Sequence, residues 1–334
     1  MPSLRQYRDR IGSVKNTRKI TSAMKMVAAS KLKRAQGAAE AAQPYAHAFA
    51  DMMRNVAAGI PAGATVSPLL SGTGRDQTVL LVALSSDRGL CGGFNANLMR
   101  AVRTEIRGLE AAGKTVKILC VGRKSRDSLK RDYADKIIDA VMGVGQRRPS
   151  AQAEGPGQVA GDPRAKPEGP GSVVTFDEAR RVADTVLNGF DHGQYDRVVL
   201  MFNEFKSVLT QKPTAVQLIP FASGGPSGLT RGPLAANDKG PSASAEGLAR
   251  APYVYEPSEE KILADLLPRN VAVQIFRAML DSAAGEQAAR MTAMDNSTRN
   301  AGDMIKRLSI TYNRARQAAI TKELIEIISG AEAV

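Results

Sequence analysis

The stretch of this 334-residue chain best placed to do chemistry is Ser85-Ser86-Asp87-Arg88-Gly89-Leu90-Cys91-Gly92-Gly93-Phe94-Asn95. It follows an apolar strand-like run and opens a helix-like one. Phosphate-binding loops sit at such points, because the free N–H groups of a helix start attract anions. The loop lacks the GxxxxGK[ST] pattern, and no GxGxxG is present in the chain. Cys91, with Arg88 three residues before it, could act as an activated nucleophile, but neither histidine lies near it in sequence. The alternative is a tight turn or a protein-contact loop using Asp87, Arg88, Gly89 and Cys91. Gly122-Arg123-Lys124-Ser125 is a second, shorter anion-site candidate on the same logic. His47 and His192 read as surface residues without metal-ligand spacing. No carboxylate pair sits in a glycine-bounded loop. As an enzyme in its own right the chain looks empty: no catalytic, cofactor or metal residue is assigned.

The elements that would hold these loops alternate. Residues 78–84, 115–121, 136–142, 197–205 and 214–220 read as strands. Residues 95–112, 125–132 and 176–190 read as helices, the last with Thr175 as N-cap and Glu178 three residues on. Strand–helix alternation predicts a mostly parallel sheet flanked by helices, an α/β domain over 75–221. Outside it lie two proline-free ends, 3–43 and 269–334, rich in Ala, Met, Lys, Arg, Glu and Gln. Leu4, Ile11, Val14, Met24, Val27 and Leu32 recur at helical steps in the first, and Ile305, Leu308, Tyr312, Ile320, Leu324 and Ile327 in the second. Both read as long amphipathic helices, about 80 Å over 3–57 and about 90 Å over 269–329 at ~1.5 Å per residue, with Pro44 able to kink the first. Helices that long must pack on each other or on another protein. The second is Ala, Gly, Ser, Thr, Asn and Asp-rich from 283 to 300, so its seam is too small and polar for a self-sufficient coiled coil. Residues 145–172 and 222–252 hold 12 of the 30 Gly and 9 of the 17 Pro and read as flexible insertions.

Charge is concentrated at one end. The chain carries 46 Lys+Arg against 33 Asp+Glu, and residues 1–35 hold ten of the cations against a single acid, Asp9. A segment of that density suits an acidic partner: nucleic acid, an anionic membrane or an acidic protein surface. Aromatics at 4% and no Trp leave few stacking platforms for nucleic acid. No apolar run of ~18 residues exists, which excludes a transmembrane helix. The charged start lacks a secretory signal core. Two cysteines, Cys91 and Cys120, suit a reducing compartment.

Three separated segments carry a family resemblance. Residues 10–31, RIGSVKNTRKITSAMKMVAASK, Asp87-Arg88-Gly89-Leu90-Cys91-Gly92-Gly93, and Ile320 to Ala331 preceded by Tyr312-Asn313-Arg314-Ala315-Arg316-Gln317-Ala318-Ala319 resemble, in order, the gamma subunit family of bacterial F-type ATP synthases. The resemblance implies an antiparallel coiled coil of the terminal helices (1–58 and 253–334, the latter including a foot contact) beside a Rossmann-like α/β domain, with the two insertions beyond the family pattern. It implies a central-stalk rotor coupling proton flow through the c ring to ATP synthesis in the alpha/beta hexamer. Its partners would be alpha, beta, epsilon and the c ring, with no cofactor of its own. Its location would be peripheral, on the cytoplasmic side of the bacterial inner membrane. Arg316, Gln317 and Thr321, with Met24 opposite, match beta-subunit contacts. Tyr253, Tyr255 and Glu256 match contacts with the c ring and epsilon, and Lys31, Lys33 and Arg34 lie on the lower coil near them. The alternative is a basic coiled-coil protein on nucleic acid.

Overall fold

The computed structural model describes residues 3–59, 67–145, 174–221 and 259–332. The two stretches read as insertions therefore lie outside the described residues, Gly145 apart, and so do Tyr253, Tyr255 and Glu256. In chain order the elements are α1 (Leu4–Gly59), α2 (Pro68–Ser71), β1 (Thr78–Leu84), α3 (Phe94–Ala111), β2 (Thr115–Val121), α4 (Arg123–Tyr133), β3 (Ile137–Val141), α5 (Phe176–Asp191), β4 (Arg197–Phe205), β5 (Gln211–Ile219) and α6 (Glu259–Glu332). They group into two compact units, Lys31–Ala289 and Met1–Ser30 with Arg290–Val334, so both long helices contribute to each.

In the larger unit five strands form one sheet in the order β3-β2-β1-β4-β5. The first four are mutually parallel and β5 returns antiparallel to β4. Both faces are covered, which is why β1 reads TVLLVAL without polar alternation. One face packs Leu80, Val82 and Leu200 under α5 and under Val271, Ile275 and Met279 of α6. The other packs Val79, Leu81 and Ile118 under α3 and α4, through Leu98, Val102 and Leu129. α5 opens on a capping box: Thr175 N–H donates to Glu178 at 3.0 Å. The other oxygen of Glu178 accepts from Gly145 N–H at 3.1 Å, tying the end of the β3 loop to the helix start.

α6 begins nine residues before Pro268, earlier than the proline-free stretch predicts. Pro268 loses one helical hydrogen bond, but the turn around it is held by packing: Leu267 is buried against Phe49 and Phe221.

In the smaller unit α1 and α6 run antiparallel. Arg8 donates to the Tyr312 hydroxyl at 3.2 Å, the Thr21 and Thr298 hydroxyls share a hydrogen bond of 2.7 Å, and Lys25 Nζ meets Asp295 at 2.6 Å. The seam is made of small or polar side chains, with Ala28, Thr21 and Ala301 buried. These cross-links fix the register, and carried on, they set Leu4 level with Arg316. α6 continues past that level to Glu332, roughly 24 Å at 1.5 Å per residue. Ile320, Leu324 and Ile327, read as part of the helical stripe, lie past the level of Leu4 and are 54%, 55% and 72% exposed.

Candidate protein interface

The loop after β1 lies where open α/β sheets bind ligands, outside the carboxyl ends of the strands between β1 and β4, where the strand order reverses. Here that crevice is occupied by the chain itself. Asn203 on β4 is buried and donates to the Phe94 carbonyl at 3.1 Å. Gly285 of α6 comes so close that a Cβ there would stand 3.1 Å from the Phe94 ring and 3.3 Å from Gln211.

The loop is fastened from within. Asp87 accepts from the Arg123 N–H at 2.7 Å and from the Gly143 N–H at 2.9 Å. Asn95 Nδ2 donates to Ser86 Oγ at 2.7 Å and to the Cys91 sulfur at 3.2 Å. Cys91 is 2% exposed, so it reaches neither a substrate nor a partner. That removes the nucleophile reading and takes Cys91 out of the predicted contact set. Arg88 and Gly89 do reach the surface, and Asp87 is half-buried. Cys120 is also buried, and burial pushes its thiol up to about 11.

The second anion candidate is spoken for as well. The first three amides of α4 donate to Asp87, to the Ser86 carbonyl at 3.1 Å, and to Ser85 Oγ at 2.7 Å. Gly122, with φ +97°, makes this junction possible, since a Cβ there would sit 2.2 Å from the Ser85 carbonyl oxygen. A GxxxxGK[ST] pattern does occur elsewhere, at Gly108 to Thr115, and the sequence reading passed over it. The structure puts it at the C-terminal end of α3 and the turn into β2. The end of a helix presents carbonyls rather than amides, and Lys114 pairs with Asp76. It is no phosphate cradle.

The predicted contact residues fall at three levels. Arg316, Gln317 and Thr321 are exposed where α6 passes the tip of α1, and the Thr321 hydroxyl donates to the Gln317 carbonyl at 2.9 Å. Arg8 holds the Tyr312 phenol one turn earlier below its usual range. Met24 is half-buried beside Lys25, level with Asp295 and Thr298, so the structure does not bring it next to Arg316. The two stand roughly 30 Å apart along the pair. Lys25 and Arg299 together hold Asp295 below the usual carboxylate range. In the larger unit Lys31 and Arg34 share one wall of a cleft of about 120 Å³ with Gly145, Val174, Glu286 and Gln287. Lys33 is exposed and outside that lining.

Periodicity named Ile320, Leu324, Ile327 and Val27 but not the other apolar residues exposed around them. On α6 this exposed surface comprises Ile310, Ile320, Leu324, Ile325, Ile327 and Ile328, each at least half exposed, and on α1 Ile20, Met26 and Val27. The clustered isoleucines near the C-terminus were the available signal. Apolar surface on this scale marks a protein contact. Among the described residues no cluster could hold a metal ion, and no helix is long and apolar enough to cross a membrane.

Comparison with known proteins agrees along the whole chain. A family model described as ATP synthase matches residues 3–334. A protein of Rhodospirillum rubrum named ATP synthase gamma chain is 52% identical over 334 residues, covering all of both chains. The ATP synthase gamma chain of Paracoccus denitrificans is 49% identical over 335 residues, again covering both completely. The two Gly/Pro-rich stretches thus fall within a length these relatives share. Among solved structures, a chain of the Euglena gracilis mitochondrial ATP synthase, in an assembly of OSCP, F1 and c-ring, superposes with a TM-score of 0.59 at 17% identity, over 99% of this chain and 94% of that one. A chain of the Tetrahymena thermophila mitochondrial ATP synthase central stalk and c-ring gives 0.52 at 23% identity, over 83% and 98%. At those identities the likeness is one of fold.

Proposed function

This chain belongs to the ATP synthase gamma-chain family, and from that premise we infer that it is the central-stalk rotor of an F-type ATP synthase. As a subunit of that complex it has no catalytic site of its own: the nucleotide chemistry belongs to the alpha/beta hexamer, and this chain carries rotation between that hexamer and the c ring. Its place is peripheral, on the cytoplasmic side of the bacterial inner membrane, reached through the c ring. The nucleic-acid reading finds no support in the comparisons.

The observation that carries the mechanical part is the apolar surface that α6 exposes from Ile320 to Ile328. A helix that exposes Ile320, Leu324, Ile325, Ile327 and Ile328 on one side past the level of Leu4 is built to lie against another protein there. Arg316, Gln317 and Thr321, at the level where α1 stops, are the polar contacts for the beta subunits, with Met24 a separate contact lower on the pair. Each polar contact of an exposed ion pair is worth about 0.2–1 kcal/mol, so it can be broken and remade during rotation. Lys31, Lys33 and Arg34, with Tyr253, Tyr255 and Glu256, serve the epsilon and c-ring end.

Replacing Arg316 and Gln317 together by Ala tests the assignment. The complex should still assemble and purify as one ATPase, while ATP-driven proton pumping in membrane vesicles falls several-fold. Pumping equal to that of the unaltered complex refutes it.

A further inference from the structure

Leu90, at the tip of the loop after β1, is in the left-handed region at φ +63°, the one described non-glycine residue there, and is 63% exposed. An L-residue with a branched side chain is disfavoured in that conformation, and Gly or Asn would remove most of the strain. The loop is rigid enough to impose it. Cys91 on one side is buried, Ser86 Oγ donates to the Arg88 carbonyl at 2.6 Å, and Asn95 clamps both Ser86 and Cys91. The result is an apolar side chain held out into solvent on a fixed stalk.

A second locally unfavourable choice sits beside it. Arg123, Lys124 and Arg126 occupy the first turn of α4, which has no acid, although a helix N-terminus disfavours cations. Arg123 is next to the loop through Asp87, and the Lys124 side chain comes within 3.9 Å of where a Gly89 Cβ would be. Exposed Arg88 completes a cationic collar around Leu90. The first-turn amides are already committed within the chain, so the patch is not built for a free phosphate. Neither feature helps this chain fold, yet both suit the same occupant.

We propose that Leu90 and its collar are a docking knob for a protein partner whose surface offers an apolar recess rimmed by Asp and Glu. Leu90 fills the recess, and Arg88, Arg123 and Lys124 face the rim. The knob is coupled to the long helix: the loop runs into Phe94, whose ring touches α6 at Gly285 and whose carbonyl is held by buried Asn203. A partner seated on Leu90 is therefore fastened to α6 through the Phe94–Gly285 contact and to the sheet through Asn203 of β4. The inference rests on the rotor reading only for the assembly in which the partner is to be sought.

The test uses the full chain in its own cells, with Leu90 replaced by p-benzoylphenylalanine and photo-activated before lysis. A cross-link mapped to an apolar segment flanked by Asp or Glu is the expected result. Leu90→Gly should weaken retention of that same cross-linked protein at least tenfold, as expected for removing one buried leucine. It should leave urea unfolding of the chain unchanged or shifted to higher urea, since the backbone strain is relieved. Arg123→Glu should weaken retention comparably and abolish its salt dependence. A purely structural Leu90 gives the opposite pattern, with no protein cross-link and retention unaffected by Leu90→Gly. That pattern, or cross-linking to lipid alone, overturns the proposal. Whether the cross-linked product purifies with the ATPase is a separate readout. If it does not, the rotor reading fails while the docking knob stands.

Discussion

Asp281→Asn should change how the chain's stability depends on pH. Asp281 lies on α6 one turn after Arg277 and one turn before the Gly285 contact, within electrostatic reach of Glu204 on β4. Burial is the main cause that pushes its carboxyl up to about 6, Glu204 adds to the rise, and Arg277 partly offsets it. Burial likewise lowers the Arg277 guanidinium from its usual value. The folded chain therefore holds the Asp281 proton up to about pH 6, whereas the unfolded chain releases it near its ordinary value of 3.8. Between those points the folded state binds more protons than the unfolded one, so stability falls as pH rises. The stabilisation is complete below the unfolded value and lost by the time pH passes the folded one. Two pKa units correspond to about 3 kcal/mol. Asp281 keeps part of its surface in water, which reduces the expected effect to about 1–2 kcal/mol. Asparagine stays neutral throughout and lacks this fall. Urea unfolding of both chains from pH 4 to pH 8 isolates the difference, because every other carboxylate cancels. The stability of the variant minus that of the original should climb by about 1–2 kcal/mol between pH 4 and 6 and then stay flat. A difference independent of pH, or one that declines, refutes the assignment.

Other outcomes follow from the same geometry. Gly122→Ala puts a Cβ on the Ser85 carbonyl at a position with φ +97° and should destabilise the larger unit by at least ~2 kcal/mol in urea unfolding. Ile320, Leu324 and Ile327 replaced together by Ala should leave unfolding of the isolated chain within about 0.5 kcal/mol per site, since all three are already in water. The same triple variant should dissociate from the assembled ATPase markedly faster in subunit-exchange measurements.

The strand positions were legible because β1, β2 and β4 are buried on both faces and leave uninterrupted apolar runs whose ends are their boundaries. The capping box at Thr175 and Glu178 was legible for a local reason: its two members are three residues apart and need no tertiary context. Exposure along α6 was not. Ile320 and Ile305 have the same helical spacing, but only Ile305 lies level with a part of α1, and the level is fixed by pairs far apart in sequence, such as Arg8 and Tyr312, 304 residues apart. The Cys91 loop was read from its residue types, which suggest a reactive thiol. What the loop does depends also on Arg123 and Gly143 closing on Asp87, partners that a linear motif does not name. Gly108 to Thr115 is the converse case, a pattern with the right letters on the wrong end of a helix.

The end of α1 opposite Arg316 also divides the rod mechanically. Below that level, bending or twisting the smaller unit must deform two helices cross-linked at Thr21–Thr298 and Lys25–Asp295. Above it, α6 is the one described helix that carries the load. Compliance of elements joined end to end adds, so elastic deformation under a given torque concentrates in the weaker member, residues 317–332. That segment works as a soft tip on a stiff shaft. It can lag, lean and recentre against an uneven wall while the paired part below keeps turning at its own pace.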